Sequence, residues 1–295
     1  TINSIVKQTL KDIEIVIADD GSSTNYYKLI EDYFIKENFL NYHFTPVKQN
    51  VGTVCNILDG LKLCSGKYVR LIGAGDLLFN EFTLELVYNY MEETCAKFCF
   101  GRMRQYSMDK EKVILKGPFR APKDIVSYKK NKYNEKQKKI KKNILIYGDW
   151  ISGASIFYER RLLFSYLDEM KKTVKYCEDL ITAKLVLDNE RIYFIDHIVT
   201  WYEVGVGIST STNNKALNRI LLDQNNFYNY LIDHYEEKML LKGKKLLQYN
   251  NKNFLLRNRV KRLIIAPGRI KFALTIMLQK YLNLHDKTEK GFLDF

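Results

Sequence analysis

The sequence predicts an α/β protein with a wound, mostly parallel sheet and a helical C-terminal extension. Short β-branched runs alternate with helical stretches in the first part of the chain, acidic turns follow two of those runs, and helical patterns dominate after Asn213. At 295 residues, 46% of them hydrophobic, the chain is long enough to bury one large core.

The first half of the chain alternates strands and helices. Residues 13–18 are apolar and β-branched, and the turn residues 19–23 after them lead into a helix. The next helix opens at Asn50-Val51-Gly52-Thr53, with Thr53 as its N-cap and Gly66 after its end. The predicted elements are strands at 13–18 and 68–72 and helices at 2–9, 24–36, 53–63 and 81–93.

The second half continues this pattern after a polar interruption. Residues 116–143 are rich in lysine and poor in periodicity, so we expect an exposed loop or insertion there. The other elements predicted are strands at 97–106, 155–158, 191–195 and 198–202 and helices at 161–170 and from Glu178 onward. We therefore predict two domains: residues 1–212, and a helical extension over 213–295.

Charge and cysteine content narrow the classes of function. Lysine and arginine number 47 against 34 acidic residues, a net charge of +13 that favours an anionic partner. Residues 129–142 alone hold eight lysines and one glutamate, and because the lysines concentrate there we expect no nucleic-acid binding. The five cysteines lack zinc-site or disulfide spacing. With neither a signal peptide nor a long apolar run, we expect a cytoplasmic protein.

Two acidic turns, Asp19-Asp20 and Asp76, follow the ends of predicted strands. Ligands of wound α/β sheets bind beyond such ends, so we expect both turns to face one crevice. A strand ending in DDGS, an Asn-x-Gly helix start, GKYV before the second turn and the pair Glu178-Asp179 together resemble family 2 glycosyltransferases with a GT-A fold. The resemblance covers residues 3–212.

This resemblance implies a Rossmann-like GT-A sheet and an inverting glycosyltransferase of the hexosyltransferase type. The donor would be a nucleotide sugar, UDP-linked, and the acceptor a glycan or lipid-linked hydroxyl in bacterial surface polysaccharide synthesis. The family's sheet also begins with a strand ahead of the helix at 2–9. That strand is absent from this sequence, so we expect a fragment of a longer product with an incomplete sheet.

The resemblance places the nucleotide-sugar site in the two turns and the helix start between them. Asp19 and Asp20 would bind the nucleoside, while an Asx turn that caps the next helix is the alternative for these carboxylates. The implied donor-binding residues are Asp19, Asp20, Gly21, Ser22, Asn50, Gly52, Gly75 and Asp76.

The second turn departs from the family pattern. Family members carry Asp-x-Asp where this chain reads Gly73-Ala74-Gly75-Asp76. A divalent metal, Mn²⁺ or Mg²⁺, would then have Asp76 as its one side-chain ligand from this turn, with phosphate oxygens and water as the others. A metal-free site that uses Arg102, Arg104 or the lysine-rich segment stays open. So does an inactive nucleotide-sugar-binding or scaffold subunit.

An inverting transferase needs a base for the acceptor hydroxyl. The resemblance assigns that role to Asp179, with Glu178 as a backup or orienting partner. Leu180, Ala183 and Leu187 predict the buried stripe of the helix that begins there. Electrostatic stabilisation of a helix N-terminus is the alternative explanation for the two carboxylates.

The C-terminal extension is basic and amphipathic over residues 253–282, with a break at Pro267-Gly268. Such helices bind anionic membrane surfaces or pack their apolar face on the rest of the protein. The resemblance favours peripheral contact with the inner face of the cytoplasmic membrane, because many family members extend lipid-linked glycans there.

Overall fold

The fold is taken from a computed structural model, which describes residues 1–45, 49–110, 112–119, 121–129, 133–205, 214–250, 256–281 and 290–293. The strands are β1 (Ile15–Ala18), β2 (Tyr42–Thr45), β3 (Tyr68–Arg70), β4 (Leu77–Leu78), β5 (Phe98–Asp109), β6 (Lys112–Phe119), β7 (Ile156–Glu159) and β8 (Tyr193–Glu203). The helices are α1 (Ile2–Val6), α2 (Tyr27–Lys36), α3 (Thr53–Leu63), α4 (Thr83–Thr94), α5 (Tyr133–Tyr147), α6 (Arg160–Met170), α7 (Ile181–Leu187), α8 (Asn214–His234), α9 (Lys238–Asn250), α10 (Leu256–Ile265) and α11 (Arg269–Tyr281).

The strands form two ladders. β1 and β2 pair in parallel, and the larger sheet has the order β3-β7-β5-β8-β4, with β6 beside β5. β7 lies antiparallel between β3 and β5, and β5 is parallel to β8. The strands β3, β5 and β8 therefore share one direction, and their carboxyl ends meet at one edge of the sheet. This arrangement confirms the α/β class and gives the site its position.

In the described part of the chain, no ladder joins β1 to β3. The two strands are linked instead through the Glu14 side chain, whose carboxylate accepts hydrogen bonds from the backbone amides of Ser65 (2.7 Å) and Gly66 (2.6 Å). The break lies where the resemblance expects one further strand.

The lysine-rich segment is a packed element, and the prediction of an exposed loop was wrong. It contains the end of β6, a 3-10 turn at Ile125–Tyr128 and most of α5, and α5 buries Ile140, Ile144 and Leu145 in the main core. The helical spacing of these apolar residues was not recognised in the sequence because lysines occupy many of the positions between them. Lys139 bonds the buried Asp124 carboxylate at 2.6 Å, so part of the positive charge is neutralised within the fold.

The strands predicted at 191–195 and 198–202 are one continuous strand, β8. The prediction left Asp196 and His197 between two separate strands. In the structure Asp196 accepts a hydrogen bond from Arg102 Nε at 2.6 Å, beside a register shift between β5 and β8, and so remains inside the strand.

The C-terminal helices α8 and α9 contribute to the same core as the residues before them. Phe227, Tyr228, Leu231 and Leu240 are buried there. The Tyr228 hydroxyl donates to the Leu145 carbonyl of α5 at 2.8 Å. The predicted break between α10 and α11 is present at Pro267-Gly268. No helix within the described ranges is long and apolar enough to span a bilayer.

Candidate active site

The DDGS turn after β1 is fixed to the start of α3. The Asp20 carboxylate accepts hydrogen bonds from the backbone amides of Val51 (2.6 Å) and Gly52 (3.0 Å), and the Asn50 side chain donates to the Asp20 carbonyl at 3.0 Å. Asp20 therefore fixes the two residues that precede α3, and Thr53, predicted as the N-cap, is the first residue of the helix itself. The cap residue of α3 is Gly52, with no side-chain cap bond.

The other residues of this turn remain open to solvent. Gly21 and Ser22 are exposed, and Asp19 accepts the Ser22 amide at 2.9 Å, which is the Asx turn considered for this position. Asp19 is partly exposed and Asn50 is exposed. The turn thus presents polar groups to solvent on a backbone held in place by Asp20.

Gly52 brings α3 against the loop that precedes the predicted base. It has a φ of +93°, and a Cβ there would overlap the Lys175 side chain. Two residues further along, the Val54 amide donates to the Lys175 carbonyl at 3.1 Å. The start of α3, to which the DDGS turn is fixed, is therefore in direct contact with the loop that precedes Glu178-Asp179.

Asp76 is buried at the end of the β3 turn, with 9% of its surface exposed. Its carboxylate accepts the backbone amide of Glu203, the last residue of β8, at 3.1 Å. The Glu203 carboxylate lies directly against Gly75, whose own carbonyl accepts the Tyr106 hydroxyl. Burial raises the pKa of Asp76 to about 6, although the Glu203 amide and the nearby Arg70 guanidinium oppose the rise.

Arg70 connects this turn with the base. Its guanidinium is buried, stacks on the Phe157 ring at 4.8 Å and donates to the carbonyls of Gly153 (3.1 Å), Ala154 and Ile156 (3.0 Å). It also donates to the Thr200 hydroxyl at 2.8 Å. Desolvation lowers the pKa of Arg70 to about 10, so the group stays cationic at neutral pH.

Glu178 and Asp179 lie in a 3-10 turn at Glu178–Leu180 that leads into the fully buried helix α7. The helix was predicted to begin at the pair itself. Both side chains are partly exposed and pack against Gly153, where a Cβ would overlap the Glu178 carboxylate. Desolvation raises the pKa of both carboxyls, and the Asp179 charge raises the pKa of Glu178 further. The pair therefore holds a proton to higher pH than isolated carboxylates do.

The predicted site residues fall into three groups. The first is the DDGS turn with Asn50 and Gly52, the second is Gly75 with Asp76, and the third is Glu178 with Asp179. Lys175 joins the first group to the third, and Arg70 joins the second to the third. The described residues show no hydrogen bond between the first group and the second.

The arginines suggested for phosphate binding have other partners. Arg102 is buried and forms an ion pair with Asp196, and Arg104 lies 5.7 Å from the rings of Phe79 and Trp201. The cations beside the base are Lys175, which is exposed, and Arg219, whose guanidinium lies 5.0 Å from the Tyr176 ring.

Sequence reasoning missed Arg70 and Glu203. A lone arginine in the apolar run YVRLI was a usable signal for Arg70. Glu203 ends a strand in the same way as the two acidic turns, so the rule applied to those turns would have found it.

Asp76 and Glu203 would be enough to hold a divalent cation only if a bound diphosphate supplied further ligands. Asp76 and Glu203 supply two carboxylates, and the described residues contain no group of three or more histidine, cysteine or acidic side chains that could hold a metal. Mg²⁺ is commonly held by one or two carboxylates together with substrate phosphates and water.

Comparison with known proteins gives one family. The model described as "Glycosyl transferase family 2" matches residues 1–161. An uncharacterized glycosyltransferase of Mycoplasma genitalium is 26% identical over 168 residues, which are 51% of this chain and 55% of the relative. The glycosyltransferase GlyG of Streptococcus pneumoniae is 25% identical over 105 residues, 36% of this chain and 34% of GlyG. The chain thus spans about half or less of these curated relatives.

Among solved structures, residues 1–349 of TarS from S. aureus superpose with a TM-score of 0.55 at 15% identity, covering 97% of this chain and 82% of that one. A TarS structure in complex with UDP-GlcNAc gives a TM-score of 0.54 at 16% identity, covering 93% and 76%. These likenesses support the GT-A fold. Glu178, Asp179 and Glu203 lie beyond the residues that the family model matches.

Because Asp76 is buried, we expect its ionisation to lower the stability of the folded protein as pH rises. Its pKa in the folded protein, about 6, lies above its ordinary value of 3.8, so the folded state binds the proton more tightly. Stability is therefore lost as pH rises from about 4 to 6. We expect Asp76→Asn to be more stable than the parent at pH 7.5, by on the order of 1–3 kcal/mol, and equally stable at pH 3.5. Urea unfolding at both pH values measures this, and a less stable variant at pH 7.5 would contradict it.

Proposed function

The chain belongs to glycosyltransferase family 2, and we propose that it transfers a sugar from a UDP-linked donor to a hydroxyl of a glycan or lipid-linked acceptor, with inversion at the anomeric carbon. The observation that carries this proposal is the pair of contacts that connect the elements beside both donor-side turns to the segments next to Glu178-Asp179. One contact runs from Val54 to Lys175 and the other from Arg70 to Gly153.

In the proposed reaction the acceptor oxygen attacks the anomeric carbon from the face opposite the nucleotide. A new C–O bond forms, the bond from carbon to phosphate oxygen breaks, and the nucleoside diphosphate leaves with the bonding electron pair. Asp179 takes the proton of the attacking hydroxyl. Its raised pKa makes the carboxylate a stronger base than an exposed aspartate.

Glu178 would assist the proton transfer to Asp179. Its pKa is raised by burial and by the charge of Asp179, so it retains a proton to higher pH than an isolated glutamate. A protonated Glu178 leaves Asp179 as the group that carries the negative charge. Gly153 allows both side chains to pack against its backbone, because a glycine has no Cβ to fill the space that the Glu178 carboxylate occupies.

On the donor side, we propose that the exposed rim of the DDGS turn binds the nucleoside. Asp20 would act mainly by fixing this turn to α3, since its carboxylate accepts backbone amides. Asp76, with Glu203, would hold a Mg²⁺ or Mn²⁺ ion bound to the diphosphate, and that ion would neutralise charge on the leaving group. UDP-GlcNAc in the TarS complex supports the choice of a UDP-linked donor.

Asp179→Asn tests the base. We expect the turnover number for transfer to fall by about 100-fold or more, because the amide cannot accept the proton, while UDP binding persists. Transfer is followed by UDP release with an acceptor glycan, and binding by calorimetry with Mg²⁺ and again with EDTA. Asp168→Asn changes a half-exposed carboxylate of α6 and is the control. Retained transfer in Asp179→Asn would reject the base, and UDP binding without any turnover in the parent would indicate an inactive binding subunit.

The acceptor would reach the site from a membrane surface. α10 and α11 expose an apolar stripe formed by Val260, Leu263, Ile264, Ile270, Leu274, Met277 and Leu278. Lys261, Arg262 and Lys271 lie among them. The opposite side is packed: Gln279 donates to Asp124 at 2.7 Å and Phe272 contacts the Tyr147 ring at 4.9 Å. We propose that the outer stripe lies in the interface of an anionic membrane.

Substitution of the stripe tests the membrane contact without truncating the chain. We expect Ile264→Ser, Met277→Ser and Leu278→Ser together to lower affinity for phosphatidylglycerol vesicles by roughly tenfold or more, since three apolar side chains lose their burial. The control changes Leu29 and Ile35, equally exposed residues of α2, to serine. Vesicle sedimentation measures binding. Equal binding by the stripe variant and the control would reject the proposal.

A further inference from the structure

A buried carboxylate from the C-terminal helices supports the loop that carries the base. Asp223, on α8, has 3% of its surface exposed. It accepts hydrogen bonds from three successive backbone amides, those of Lys175 (3.1 Å), Tyr176 (2.5 Å) and Cys177 (3.0 Å). Three consecutive amides around one carboxylate make a strongly held contact, because each bond to a charged acceptor is stronger than a neutral one.

The three amides lie immediately before Glu178-Asp179. On the other side of the loop, the Lys175 carbonyl accepts the Val54 amide of α3. The loop is therefore held between α8 and α3, the helix to whose start the DDGS turn is fixed. Asp223 also lies close enough to Cys177 to raise the pKa of its thiol, together with burial and Asp179.

We propose that Asp223 is a positioning residue for Asp179. This inference rests on the proposed function, because it assigns Asp223 to the geometry of the same base. By fixing the backbone at residues 175–177, Asp223 sets where the chain enters the 3-10 turn and thus where the Asp179 carboxylate stands relative to Gly153. A misplacement of about 1 Å at a reacting group can cost about 100-fold in rate.

Asparagine cannot replace this carboxylate. Its side chain has one acceptor oxygen and an NH₂ group, and the latter would meet backbone amides that also donate. Asp223→Asn therefore removes part of the contact and adds donor–donor repulsion. A glutamate keeps both carboxylate oxygens but places them one methylene further from the backbone of α8.

Tyr228→Phe supplies a matched control on the same helix. Its hydroxyl is buried and donates to the Leu145 carbonyl at 2.8 Å, a contact with α5 that does not involve the base loop. Loss of this bond weakens the packing of α8 and leaves residues 175–177 as they are. Comparison of the two variants separates a general loss of stability from a specific effect on the base.

The experiment compares transfer by the full chain with Asp223→Asn and with Tyr228→Phe. For Asp223→Asn we expect the turnover number to fall about 10- to 100-fold, its acidic pH limb to shift, and the dissociation constant for UDP to stay within twofold. For Tyr228→Phe we expect a lower unfolding midpoint with unchanged turnover and pH profile. If Asp223→Asn fails to fold, Asp223→Glu is measured in its place, with the same expectation.

Each outcome has one meaning. Full turnover in the folded Asp223 variant, or equal loss of turnover in both variants, would overturn the positioning role. A parent protein without transfer, or an Asp179→Asn variant that transfers normally, would instead overturn the proposed function.

Discussion

The buried guanidinium of Arg70 is the interaction on which the arrangement of the site depends. It belongs to the last residue of β3, at one end of the strand order of the larger sheet, and its hydrogen bonds reach the carbonyls of Gly153, Ala154 and Ile156, which belong to a segment far along the chain. The same charge lies close enough to Asp76 to oppose the rise in its pKa that burial causes. An arginine in this place is costly to desolvate, and the fold retains it through bonds from its two terminal nitrogens to backbone carbonyls and to Thr200, while its buried Nε has no hydrogen-bond partner among the described residues.

Carboxylates that accept backbone amides hold the other loops in place. Glu14 holds the turn before β3, Asp20 holds the start of α3, Asp149 holds residues 123–124 and Asp223 holds the loop before the base. Each contact joins segments that are distant in sequence, such as Asp20 and Val51, 31 residues apart. In a chain with a net charge of +13, these acidic groups therefore serve to fix loops that precede strands and helices.

Much of the fold could be predicted from local patterns. The β-branched run before Asp19, the turn at Gly73–Asp76 and the break at Pro267-Gly268 are each encoded by a few adjacent residues. The order of the strands could not be predicted, because β7 is inserted between β3 and β5 by pairing that leaves no local signal. Helix α5 was missed because lysine composition masked the spacing of Ile140 and Ile144.

The acidic residues of the candidate site could be predicted from the sequence, because they stand in turns after predicted strands. The residues that hydrogen-bond to them could not be predicted, because a bond such as that of Asp223 depends on how two distant elements pack together. The family match over residues 1–161 covers both donor-side turns, and the residues around the base come from the part of the chain beyond it. The proposed site thus combines the part of the chain that the family model matches with a support from the C-terminal helices.

The central claim is that the donor-side turns and the base loop form one cleft. Hydrogen exchange of the full chain with and without UDP and Mg²⁺, read by mass spectrometry, tests it most directly. The structure predicts slower exchange at residues 19–22 and 75–76 together with residues 175–180, because Lys175 and Arg70 connect these segments. Slower exchange at the DDGS turn with unchanged exchange at 175–180 would contradict the claim.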